Sequence, residues 1–140
     1  MFPRSTAHIQ YAAGFAPAGQ THVSLMSWVV TDGSGDMQYV GQWDGVNDGW
    51  KFGQNRDKPR LTFRIGGGES YVETASSYLK AVGHTAADAA FFVVHMTYSS
   101  GSVALYVNGS AVPVVVNGTI PTSWPTPQPL PTRTRLLYEC

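Results

Sequence analysis

The chain contains one cysteine, and it is the last of 140 residues. A single thiol excludes an internal disulfide and any structural zinc site of the Cys₄ or Cys₂His₂ type. Cys140 at the chain end has no scaffold to hold it against a base, so it reads as an incidental thiol. Charge is scarce too: 13% of the residues are charged, against roughly 25% in an average soluble domain. Nine basic and nine acidic residues cancel. Without a basic stripe, a nucleic-acid partner is not expected, and near-zero net charge favours association over a freely soluble monomer. There is no run of 18 apolar residues, so neither a membrane-spanning helix nor a membrane partner is expected. Residues Met1 to Gln10 lack a basic stretch followed by an apolar core of the signal-peptide kind. The expectation is a protein at work where it is made, or secreted only if a leader has been removed.

Helical patterning is also sparse. Fifteen glycines and nine prolines divide the sequence into short segments rich in β-branched and aromatic residues. Val23–Val30 reads as a strand with Val23, Leu25, Ser27 and Val29 on one face, followed by a turn at 32–36. Met37–Trp43 is the next strand, and the turn-rich Asp44–Gly49 follows it. Trp50–Gly53 and Arg60–Ile65 alternate as half-buried antiparallel strands do. Tyr78–Ala90 is alanine-rich but interrupted by Gly83, and reads as a loop with one helical turn at most. Phe91–Tyr98 and Ser102–Val107 are the clearest strands, and Asn108-Gly109 after them is a strong type I′ hairpin signal. Ser110–Val116 reads as the returning strand, placed at a sheet edge by Pro113, with a second such turn at Asn117-Gly118. Short strands at this spacing predict an all-β antiparallel sandwich over 1–120. Five of the eleven residues from Pro121 to Pro131 are proline, which predicts an extended arm over 121–140 ending in a short strand near Arg133–Tyr138.

Five segments resemble one family. Val23–Val29 is similar to the "F-x-hydrophobic-x-x-W-V" strand of concanavalin A-like, laminin-G-like jelly-roll domains. Gly49–Gly53 and Leu61–Ile65 fall where that family has a "G-W-x-hydrophobic" and "hydrophobic-x-F" pair. Phe91–Tyr98 resembles its "W-H-H-V-A-V-T-Y" strand, and Leu105–Gly109 its "L-Y-V-N-G" hairpin. The resemblance spans about residues 20 to 116 and implies a concanavalin A-like jelly roll. The family's closing "G-x-hydrophobic-D-E/D" strand has no counterpart; the proline-rich arm stands in its place. Because the matching residues are core and turn residues, they report scaffold rather than function. The family includes sugar binders, glycoside-hydrolase relatives, adhesion modules and virion surface proteins.

The candidate chemistries follow from residue type. Glycosidases need two carboxyls flanking the scissile bond; of the three glutamates, Glu69 and Glu73 share a strand face but lack the "E-x-D-x-x-E" spacing. No Gly-x-Ser-x-Gly elbow occurs, and the chain is expected not to be an enzyme. No cofactor is required. Calcium is the one open candidate, through Asp32, Asp36, Asp44 and Asp48 in two oxygen-rich loops that also suit plain turns. Trp43, Asp44, Asn47, Asp48 and Trp50 form the best sugar-binding cluster, since apolar sugar faces stack on rings; Trp50 also falls on a family core position. Asn108-Gly109-Ser110 and Asn117-Gly118-Thr119 fit glycosylation sequons and read as hairpin turns.

Two functions are expected from this. The first is a non-catalytic structural protein of a virion surface, a capsid decoration (cement) or tail-associated protein of a bacteriophage, assembled in the host cytoplasm. It would form a homo-oligomer and bind a capsid or tail protein. An arm of some ten extended residues, at about 3.1 Å each, reaches roughly 30 Å to a neighbour. Its anchors would be Phe2, Ile9, Tyr11 and Phe15 with Trp124, Leu136, Leu137 and Tyr138, residues that suit ordinary core packing nearly as well. The alternative is a lectin-like module whose partner is a glycan.

Overall fold

The alternating segments fold as strands. In a computed structural model describing residues 18–31, 33–43, 45–79 and 90–125, nine strands follow one another: β1 (His22–Thr31), β2 (Met37–Gln42), β3 (Gly49–Asn55), β4 (Lys58–Ile65), β5 (Gly68–Thr74), β6 (Ala90–Ser99), β7 (Ser102–Val107), β8 (Ser110–Val112) and β9 (Val114–Asn117). They pair antiparallel into a four-stranded sheet of order β1-β6-β7-β8 and a five-stranded sheet of order β2-β3-β4-β5-β9. The chain is an all-β antiparallel sandwich, as its spacing of strands and turns predicts. Of the expected arm, only 121–125 fall among the described residues.

Tight turns set the registers. The β6–β7 turn places Ser100 and Gly101 at φ 46° and 92°, and the β7–β8 turn places Asn108 and Gly109 at 51° and 83°. Positive φ at both central residues is the type I′ requirement, so Asn108-Gly109 behaves as its sequence predicts. Asn108 also grips the neighbouring strand, its Oδ1 accepting from Val93 N–H at 2.9 Å. At Asn117-Gly118 only the glycine is left-handed, so this is not a second turn of that kind.

The segment expected as one strand over Ser110–Val116 is broken in two. Pro113 has no N–H to donate to a ladder. The chain before it, β8, pairs with β7, whereas the chain after it, β9, pairs with β5 in the other sheet. Proline therefore sits at a sheet edge, as expected, but between two edge strands of different sheets rather than within one strand. Pro113 O is taken up by Ala75 N–H at 2.8 Å.

Between the sheets lie Val29, Phe92, Val94, Met96, Tyr98, Leu105 and Val107 from one side, and Trp50, Phe52, Leu61, Phe63 and Val72 from the other. Trp124 joins them. Its ring meets Trp50, Phe63 and Tyr98 edge-on at centroid distances of 5.0, 5.1 and 5.2 Å. Its backbone is clamped as well: Trp124 N–H donates to Gln20 O, and Trp124 O accepts from Gly19 N–H, both at 2.8 Å. Of the two readings open for Trp124, arm anchor and core residue, the second holds: it packs in the core of its own sandwich.

One buried amide organises the β2 end of the core. Gln54 Nε2 donates to Thr31 Oγ1 (2.9 Å), Gly35 O (3.1 Å) and Arg56 O (2.7 Å), and its Oε1 accepts from Tyr39 O–H at 2.9 Å. A register shift between Gln38 and Val40 lets both Tyr39 and Val40 pack on the core. Burial raises the Tyr39 phenol above its ordinary pKa, which keeps it a proton donor to Gln54.

Candidate functional site

The Trp43–Trp50 cluster divides between surface and core. Trp50 is fully buried, so no face of its ring is open to a sugar. Trp43 is half-buried, with Lys51 Nζ 4.5 Å from its ring centroid. Asn47 is exposed, while half-buried Asp48 accepts from Gly66 N–H at 2.8 Å and so ties its loop to the β4–β5 turn. Asp44 lies outside the described residues, as do Asp32, Phe2, Ile9, Tyr11, Phe15, Leu136, Leu137 and Tyr138.

Of the calcium candidates, Asp36 Oδ1 accepts from Arg56 N–H at 3.2 Å, and the Asn55 amide, turned to donate, reaches the same oxygen at 3.0 Å. Asp36 and Asp48 thus both serve as turn braces. Among the described residues, no three His, Cys, Asp or Glu side chains gather as metal ligands.

Glu69 and Glu73 point outward from β5, and each is matched by an arginine across the ladder. Glu73 takes two bonds from Arg60, at 2.9 and 2.6 Å, and Glu69 one from Arg64 at 3.0 Å. Arg60 also lies 4.0 Å over the Tyr71 ring. A cavity of about 150 Å³ opens beside these pairs, lined by Lys51, Gln54, Arg60 and Thr62 among others. Thr62 Oγ1 is buried there without a partner. The two cations at its rim are already engaged, Arg60 by Glu73 and Lys51 by Trp43.

The opposite sheet has a different chemistry. None of the residues of β1, β6, β7 and β8 is Asp, Glu, Lys or Arg. Strand register puts Ser24, Met26, Trp28 and Val30 of β1 on its outer side, beside Thr97, His95, Val93 and Phe91 of β6 and Ala104 and Tyr106 of β7. Met26, Trp28, Val30 and Phe91 are 65, 71, 62 and 53% exposed. Trp28 and Phe91 meet edge-to-face at 5.3 Å. Beside them His95 stacks on Tyr106 at 5.2 Å, and its Nε2 lies 2.7 Å from Ser24 Oγ. The face therefore joins an open aromatic patch to polar groups that bond one another.

Sequence reasoning did not single out these residues, although the signal was present. Once Val23, Leu25 and Val29 are assigned inward, the two-residue period sends Met26, Trp28 and Val30 outward. A strand apolar on both faces is buried on both or covered by a partner. Phe91 carries the same information on β6. No family model matches this chain, and neither a curated protein nor a solved structure does.

Proposed function

We propose that this chain is a non-catalytic assembly protein that docks on other protein surfaces through the outer face of its four-stranded sheet. The observation that carries the reading is the segregation of charge. Among the described residues, every Asp, Glu, Lys and Arg on a strand lies on the five-stranded sheet, while the other sheet carries none and leaves four large apolar side chains open. Depletion of charge with enrichment of aromatic residues and Met is the composition of an interface core. A sugar site needs amides or carboxylates around its ring, and the outward residues of this face supply neither. The proposed setting is a virion surface, with a capsid or tail protein and further copies of the chain as partners, on a concanavalin A-like scaffold. Low overall charge and the proline-rich segment after the sandwich support that setting.

The test places benzoylphenylalanine at position 28 or 71 of the full chain in cells that make it, with photo-cross-linking. Protein–protein products are expected from position 28 and not from position 71, which sits on the charged sheet. No protein product at 28, together with retention on immobilised glycans that disappears in Trp43→Ala, would replace this reading by the lectin one.

A further inference from the structure

We infer that the first partner of the charge-free face is a second copy of this chain, packed face to face about a twofold axis near Trp28. The inference rests on the docking reading above and names the occupant. In a twofold contact the same patch lies on both sides, so a patch with net charge of one sign opposes its own copy. A charged patch opposes such a contact; this one has no residue of either sign to do so. Two polar groups on the face are matched to each other, since His95 is held by Ser24 and its ring stacks on Tyr106. Covering that pair leaves its mutual hydrogen bond in place.

The size of the patch fits. Aromatic side chains of about 150–250 Å² each, with Met26 and Val30 beside them, leave on the order of 500 Å² of apolar surface open. That is the apolar core of an interface in which each partner buries roughly 800 Å², polar rim included. The patch also borders a sheet edge that, among the described residues, no strand pairs. Among the described residues β1 pairs only with β6, in unbroken register, and none of the usual guards of an edge strand is present. It has no lysine, no proline and no bulge.

Sedimentation equilibrium of the full chain across a wide concentration range tests the proposal. The expected result is a reversible rise from the monomer mass to twice that mass. Trp28→Lys and Phe91→Lys should each weaken association by roughly thirtyfold, the effect of losing a central hot spot. Both side chains are exposed, so circular dichroism should show an unchanged fold. Val115→Lys, on the outer side of β9 and 50% exposed, is the control and should dimerise as the parent does. A monomer at every concentration, or a dimer indifferent to both lysines, overturns the second-copy proposal. If such a monomer still cross-links through position 28 to a different protein, the docking reading stands and only its first partner changes. If position 28 cross-links to nothing, both fall.

Discussion

Trp124→Ala is expected to destabilise the sandwich by about 3–5 kcal/mol, the range for deleting a fully packed large aromatic. The ring is 1% exposed and contacts three other aromatics from both sheets. Removing it leaves a cavity bounded by Trp50, Phe63 and Tyr98, none of which can collapse without giving up its own strand position. Tyr98 is also fixed from its far end, its hydroxyl donating to Pro121 O. Trp124→Phe should cost much less. It keeps an edge-to-face aromatic, and it deletes an indole N–H that is buried with no hydrogen-bond partner. Urea unfolding followed by far-ultraviolet circular dichroism checks both variants. A loss below about 1 kcal/mol for Trp124→Ala would mean that the ring is not part of the core. A truncation meant to isolate the proline-rich segment must accordingly spare Trp124. Cutting after Thr119 would remove Trp124 and Ile120 together and read as unfolding.

Gly53→Ala should cost about 3 kcal/mol, at the upper end of overpacking penalties. The reason is close approach between backbones rather than an unusual φ. A Cβ at position 53 would sit 2.0 Å from Met37 O and 3.0 Å from Gln38 Cα. Both are main chain, so no side-chain rotation relieves the contact and β2 must lift away from β3. Lifting β2 carries Tyr39 off Gln54 and Phe52, whose contacts with it are a 2.9 Å hydrogen bond and a 5.3 Å edge-on ring pair. Hydrogen exchange should show faster opening confined to β2 and the neighbouring turn, with β6 and β7 unchanged. Uniform acceleration across both sheets would contradict this account of the clash.

Much of the scaffold was legible because its signals are local. The two-residue period assigned Val23, Leu25 and Val29 inward, and Asn108-Gly109 announced its hairpin. Pro113 was legible as a disruption but not as a crossing. A missing N–H says that a ladder stops there; which sheet the chain joins next is decided by packing across the core. Trp124 is open to both arm-anchor and core readings for a related reason, and burial places it in the core. Its prolines favour extended backbone, and extended backbone can lie against a core as readily as reach away from one. Trp50 was open to both core and sugar readings, and burial settles its place in the core. The charge-free face was legible in principle, since it needs only the strand period and the charge positions. It emerges once β1, β6, β7 and β8 are known to share one sheet, which pairs residues about seventy positions apart, such as Ser24 with Thr97.

On the proposed reading, the outer face of the four-stranded sheet is covered when the protein is at work. Hydroxyl-radical footprinting of the full chain, dilute and then in its concentrated or assembled form, reads this at Trp28 and Phe91 directly. Both should label readily when dilute and become protected on assembly, while Trp43 and Val115 keep their labelling. Unchanged labelling of Trp28 and Phe91, with protection appearing at Trp43 instead, would contradict the account and move the working surface to the β2–β3 loop.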